Sequence, residues 1–195
     1  MVVALALVLS AAFGAGDQYL GSLTGSGHAW AAVWSTDISL LSAPWLVLPF
    51  VAGATQRDPR RAALLGLACT YAALVGYAVM TLSPVEHAHM SLAAVRGFMI
   101  SERPVLIGGI VTGPLFGWFG QQWRTRRAIW GALITAAALC LEPFARRVSR
   151  LGTTIQYREV WVAEVALGLA FAAAILAHRY SRGRPKSRQR RLSRA

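Results

Sequence analysis

Apolar stretches separated by short polar connections run along almost the whole chain. An α-helix needs roughly 20 mostly apolar residues to cross hydrocarbon about 30 Å thick, and six stretches approach that length. They fall near residues 2–23, 38–55, 62–83, 104–122, 128–146 and 159–178. This pattern predicts an all-α membrane protein, a six-helix transmembrane bundle in which residues 1–178 form the transmembrane helical domain.

The composition supports the membrane interpretation. Of the 195 residues, 14% are charged and 55% are hydrophobic, whereas about a quarter of a soluble domain is normally charged. We therefore expect a multi-pass protein of the cell membrane. The first stretch has small residues at 10–12 and 14–16, like a signal-peptide cleavage site, but it lacks the positively charged start of such a signal.

The positions of the basic residues predict the orientation, because short cytoplasmic loops are enriched in Lys and Arg. Three arginines lie in 57–61, three in 124–127, and eight basic residues in the tail 179–195. Both termini are therefore expected in the cytoplasm, with the tail disordered. The cluster of Arg146, Arg147 and Arg150 opposes this arrangement, because six spans would place it outside. If the cluster is cytoplasmic instead, one segment does not cross and five spans result.

The formal net charge of +12 would also suit a nucleic-acid partner. The distribution argues against nucleic acid, because the basic tail directly follows a spanning helix, where it meets anionic membrane lipids. Cys69 and Cys140 lie in apolar stretches without metal-ligand spacing, and the loop histidines His87 and His89 form only a weak pattern. No metal and no cofactor is predicted.

Small residues and prolines predict how the helices pack. Gly109, Gly113 and Gly117 recur at four-residue spacing, which is typical of close helix contacts in lipid and places the fourth segment at the centre of the bundle. Pro44 and Pro49 in the second segment and Pro114 in the fourth remove backbone donors, so each predicts a kink.

The connections also carry interfacial signals. Apolar residues recur at about helical spacing in 84–103, which predicts a short interfacial helix. They are Met90, Leu92, Val95 and Phe98. Trp123 and Trp161 fall at predicted helix ends, where interfacial belts draw tryptophan.

Three acids fall inside predicted spans, namely Asp17, Glu142 and Glu164. An ionisable side chain is costly at this depth and therefore indicates function. With about 1.5 Å per residue, all three lie roughly 7 to 8 Å outward of the bilayer centre. Their shared depth predicts a polar pocket in the outer half of the bundle, with the acids as candidate catalytic residues. Its candidate binding residues are Asp17, Gln18, Tyr19, Trp45, Trp118, Glu142 and Glu164. Alternatively, each acid satisfies a local partner, such as a carbonyl freed near Pro143.

Short motifs along most of the chain resemble one known family. They are Gly76-Tyr77, Gly113-Pro114 with Gly117, Trp123-Arg124, Glu142, Trp161, Glu164 and Gly168. In these motifs the chain resembles an actinobacterial integral membrane family of unknown function, domain of unknown function 6518. The resemblance implies a helical membrane architecture and no particular activity.

Three functions stay open on the sequence. Six helices with an outward pocket are similar to the substrate-capturing subunits of energy-coupling-factor vitamin transporters, which favours a small-molecule binding or transport subunit with a partner membrane subunit. Buried acids beside aromatics are similar to those of membrane terpene cyclases, which favours an intramembrane enzyme on an isoprenoid. In that enzyme Glu142 or Asp17 would be the acid, and Trp45 or Trp118 would face the carbocation. A non-catalytic membrane interaction factor is the third function.

Overall fold

The computed structural model describes residues 1–23, 35, 37–84, 88–149 and 158–183. These residues are almost entirely helical, and no strand occurs among them. The seven helices that can be delimited are α1 (Val2–Ser22), α2 (Pro44–Ala54), α3 (Pro59–Thr81), α4 (Leu92–Ser101), α5 (Arg103–Arg126), α6 (Ile129–Ser149) and α7 (Arg158–Gly183). Helix α7 extends through residues 179–183, so these five residues of the predicted disordered tail 179–195 are helical. The rest of the tail and most of the first predicted outer connection lie outside the described residues.

Four of these helices are long and apolar enough to cross a membrane. Their spanning parts are Val2–Ser22, Pro59–Thr81, Ile129–Val148 and Arg158–Ala177. Many of their large apolar side chains, such as Leu5, Val75 and Leu167, are exposed on the outside of the bundle. An apolar exterior around a helical core is what a hydrocarbon environment favours, and this helical bundle has both that exterior and helices of spanning length.

The second predicted segment, 38–55, is not one continuous helix. Helix α2 begins only at Pro44 and has 11 residues, because a proline ring clashes with the preceding helical turn and supplies no N–H. Pro44 is therefore the first residue of a helix, and the prediction of a kink within a longer helix was wrong there. Residues 40–43 interrupt the α-helical hydrogen-bond ladder and make i→i−3 turn bonds, such as that from the N–H of Leu41 to the carbonyl of Ile38. They are called the backbone break below.

Helix α5 lies at the centre of the bundle, as its glycines predicted. It packs against α2, α3 and α6. A Cβ added to Gly113 would lie 3.0 Å from the Cα of Leu67, and one added to Gly117 would lie 3.1 Å from the Cα of Gly66. These distances leave no space for a side chain, so the two glycines permit the close approach of α3 and α5.

The remaining helices pack in pairs around this centre. Helix α1 contacts α3, where a Cβ on Gly14 would overlap the backbone of Ala73. Helices α6 and α7 contact each other closely at Gly168, whose added Cβ would meet the Cys140 sulfur at 2.6 Å. A cluster of apolar side chains joins α2, α5, α6 and α7. Its buried members are Phe50, Phe116, Phe119, Ala132 and Ile175.

A short helix is present in the second outer connection, as predicted. Helix α4 begins after Ser91, whose hydroxyl accepts the backbone N–H of Ala94 at 3.1 Å. No residue of α4 is buried. Leu92 and Ile100 are exposed, which is the arrangement expected of a helix lying at an interface.

Candidate functional site

The backbone break is held by two charged side chains of α6. One carboxylate oxygen of Glu142 accepts the backbone N–H of Ser42 at 2.7 Å, and the other accepts that of Ala43. The Arg146 guanidinium donates to the carbonyl of Leu40 and, at 2.7 Å, to the hydroxyl of Ser42. Backbone outside a helix must find partners within the protein at membrane depth, and these two side chains supply both donors and acceptors.

Glu142 and Arg146 also pair with each other. They lie one turn apart on α6, and the Arg146 Nε donates to Glu142 at 2.7 Å. The Glu142 side chain is only 9% exposed, so its charge depends on this partner and on the two N–H groups. A carboxylate at the start of α2 also complements the positive end of that helix.

Glu164 of α7 is the polar group in this region that has no donor. It is 1% exposed, and its carboxyl lies beside that of Glu142. Apart from the neighbouring carboxyl of Glu142, with which it can share a proton, no residue that the structure describes offers its oxygens a hydrogen bond. Since a buried carboxyl is costly without a hydrogen bond, Glu164 needs a donor, which a proton shared with Glu142 or a bound molecule would supply.

Trp161 lies one turn before Glu164 on α7 and carries a hydrogen-bond donor that lacks an acceptor among the described residues. Its side chain packs against the buried pair Leu41 and Val160, as Leu40 also does. Its indole N–H is buried without an acceptor in the described part of the chain. An unpaired donor and an unpaired acceptor therefore lie within one helical turn. The polar cluster, as it is called below, consists of Glu142, Arg146, Trp161 and Glu164.

A groove between α6 and α7 runs beside the polar cluster. Its volume is about 610 Å³, within the range of small-molecule sites. Its lining residues are Pro143, Phe144, Arg147, Arg158, Trp161, Val162 and Val165. Pro143 and Val165 are the chain neighbours of Glu142 and Glu164, so the groove adjoins both carboxyls and offers a route to them from the bundle surface.

Asp17 belongs to α1, and its side chain reaches the start of α2, where its partner differs from those of Glu142. The half-buried Asp17 carboxylate accepts the indole N–H of Trp45, in the first turn of α2. Trp45 also contacts Phe13 and Tyr77 edge to face, with ring centroids 5.6 and 6.1 Å apart. Asp17 therefore fixes an aromatic contact among α1, α2 and α3.

The predicted site residues are thus brought together in part. Glu142 and Glu164 lie side by side, whereas Asp17 interacts with Trp45. Gln18 and Tyr19 are partly or fully exposed on α1. Trp118 contacts Trp130 at the start of α6, with centroids 5.4 Å apart, and Trp130 precedes Glu142 by twelve residues, or about 18 Å along the helix. Trp118 is therefore remote from the two glutamates.

Sequence reasoning missed Arg146, Trp161 and Ser42 as members of this region. The available signal for Arg146 was its four-residue spacing from Glu142, which places two opposite charges on one helix face. Trp161 was interpreted as an interfacial residue. No pattern indicated Ser42, because its backbone N–H is what the site uses.

Metal-binding geometry does not occur in the described ranges, where no three His, Cys, Asp or Glu side chains come together. Cys69 is buried and reduced. The Arg146 guanidinium has donors and no acceptor atom, so this member of the polar cluster cannot ligate a metal ion.

The described fold is a helical bundle with four helices able to cross a membrane, and its polar cluster is built at the broken start of a short helix, α2. The chain belongs to the family of unknown function DUF6518, whose model matches residues 1–188. This match confirms the family resemblance seen in the sequence motifs. Comparisons with curated proteins and with solved structures gave no match.

Proposed function

We propose that this protein is a small-molecule binding or transport subunit of the cell membrane whose ligand reaches the polar cluster. The observation that carries the proposal is the fully buried carboxyl of Glu164, which has no partner among the described residues other than the carboxyl of Glu142, whose own oxygens already accept the N–H groups of Ser42 and Ala43. A buried acid at membrane depth is costly and therefore indicates function. A ligand with a hydrogen-bond donor for Glu164 and an acceptor for Trp161 would satisfy both groups.

The broken helix supports a transport role. Transporters commonly form their binding sites where a helix is discontinuous, because the half-helix end presents free backbone groups to the ligand. Here the backbone N–H groups of Ser42 and Ala43, which have no helical partner, donate to the Glu142 carboxylate. A ligand at Glu164 changes the surroundings of Glu142 directly, and in this way it is coupled to the start of α2.

The proposed function includes a topology of six spans with both termini in the cytoplasm. Helix α5 has 24 residues, about 36 Å in length, and its buried Gln121 and Gln122 are enclosed by protein rather than lipid. With α5 and the broken segment ending in α2 both crossing, the chain has six spans and two cytoplasmic ends. Arg146 then no longer opposes the topology, because its charge is used at the backbone break.

The test is whether the purified protein holds a small molecule through Glu164. Native mass spectrometry and a thermal-shift screen with water-soluble amines, alcohols and vitamins would be run on the wild type, Glu164→Gln and Glu159→Gln. Glu159 is exposed on the same helix and serves as the matched control. We expect a bound or stabilising compound that Glu164→Gln loses and Glu159→Gln keeps. A compound retained equally by both variants would contradict the proposal.

The association with a transporter has its own readout. If the protein is a subunit, an ATPase module should co-purify with it in mild detergent, and removal of the tail from residue 184 should leave ligand binding unchanged. Binding without any ATPase partner would support a stand-alone binding protein instead.

An intramembrane enzyme is the second candidate, because Glu164 lies next to a groove that opens on the bundle surface. The acid in this version is Glu164 rather than Glu142 or Asp17, since both of those carboxyls already accept hydrogen bonds. Trp161 would replace Trp118 as the nearby aromatic. Turnover of an isoprenoid substrate that Glu164→Gln abolishes, with the protein still folded, would favour the enzyme.

A further inference from the structure

The groove between α6 and α7 combines two surfaces of different character. One part is apolar, with Phe144 and Val162 being 64% and 59% exposed. The other part carries the two guanidinium groups of Arg147 and Arg158. One amphiphilic molecule would therefore match both parts.

The two arginines are available for an external anion. Both are exposed, and within the described ranges neither has a carboxylate at ion-pair distance; the ion pair found there joins Arg146 to Glu142. Glu159 is the acid nearest in sequence, but it follows Arg158 directly, and successive residues do not face each other on a helix. The sequence from 151 to 157 adds no acid.

The surroundings favour a lipid over a soluble anion. Phe144 and Val162 belong to the two helices α6 and α7 that are able to cross the membrane, so acyl chains surround them. Arginine forms bidentate hydrogen bonds with phosphate groups, so two guanidinium groups beside an apolar surface suit the headgroup of an anionic lipid. We infer that the α6–α7 groove is a binding site for an anionic phospholipid, with the phosphate between Arg147 and Arg158 and an acyl chain along Phe144, Val162 and Val165. The lipid would share the groove and Trp161 with the route of the ligand proposed for the polar cluster, but the inference does not rest on that ligand, because its tests measure lipid binding alone.

The charge part of the site is tested by lipid titration of delipidated protein in detergent, followed by native mass spectrometry. We expect dioleoyl phosphatidylglycerol to bind more tightly than dioleoyl phosphatidylcholine. The double variant Arg147→Gln with Arg158→Gln should lower the affinity for phosphatidylglycerol about 30-fold, because each arginine contributes about a fivefold effect. Replacing both with Lys should restore most of the affinity. The matched control replaces the exposed Arg124 and Arg126 with Gln and should leave the affinity unchanged.

The apolar part is tested by filling the groove. Val162→Trp keeps both arginines and should displace the lipid, whereas Leu167→Trp, equally exposed on the same helix, should not. Circular dichroism checks that each variant is helical. Equal binding of the two lipids, equal loss in the Arg124 and Arg126 control, or retention of binding in Val162→Trp would each overturn the inference. Effective competition by glycerol phosphate would show that the site takes a soluble anion, and this too would overturn it.

Discussion

Replacement of Glu142 by Gln should destabilise the bundle strongly, although the side chain keeps its shape. The amide has one acceptor oxygen in place of two, so one of the N–H groups of Ser42 and Ala43 loses its partner and faces an NH₂ group. The guanidinium of Arg146 also loses its carboxylate at 2.7 Å. Removal of one partner from a buried ion pair costs about 3–5 kcal/mol, and that range already contains the lost hydrogen bond to a charged group.

The free energy of unfolding would be measured by steric trapping or by titration with a denaturing detergent. The double variant Glu142→Gln with Arg146→Gln separates the two contributions. Because it leaves no uncompensated charge, we expect it to be less unstable than the sum of the single variants. Glu159→Gln is the control and should change the stability by less than about 0.5 kcal/mol. A loss below about 1 kcal/mol for Glu142→Gln, or additivity in the cycle, would refute this account of the backbone break.

Three further outcomes are expected. Gly117→Ala should lower the thermal midpoint, because its Cβ would lie 3.1 Å from the Cα of Gly66, whereas Gly108→Ala, with open space around it, should be neutral or stabilising; equal effects would contradict the packing of α5. Asp17→Leu should lower the free energy of unfolding by about 1–3 kcal/mol, since it leaves the Trp45 N–H unpaired, and Asp17→Asn should lower it less. If titration with a denaturing detergent gives the opposite order, the Asp17–Trp45 hydrogen bond does not stabilise the bundle. In a chain freed of its native cysteines, a cysteine at Gln156 should react with an impermeant reagent from outside intact cells if six spans are correct, and protection there would favour five.

The helices of this fold could be predicted from the sequence because apolar length is a local property. Even the centre of the bundle was predictable, since Gly113 and Gly117 show directly where another backbone can approach. The backbone break was not. An apolar run such as 38–55 does not reveal that its N–H groups are satisfied by Glu142, a hundred residues later in the chain.

The site was predicted only in part for a related reason. Depth in the membrane follows from position along a helix, and this predicted one level for Asp17, Glu142 and Glu164. The carboxyls of Glu142 and Glu164 do lie side by side. Whether two side chains meet depends also on the rotation of each helix about its axis, which the positions of the acids alone do not give. Asp17 is directed toward Trp45 and Glu142 toward Ser42, so the two acids serve different contacts at the start of one helix.

Glu164→Gln should stabilise the protein or leave its stability unchanged, although it abolishes ligand binding in the proposed function. The Gln amide would offer an N–H donor to the neighbouring carboxylate of Glu142, and the burial cost of an unpaired carboxyl, about 1–3 kcal/mol, would disappear. Residues that are retained for binding often cost stability in this way. The unfolding assay used for Glu142→Gln provides the comparison, with Glu159→Gln as the control. If Glu164→Gln destabilises the bundle by more than about 1 kcal/mol, then Glu164 already has a structural partner. The proposal that its carboxyl binds a ligand would then be wrong.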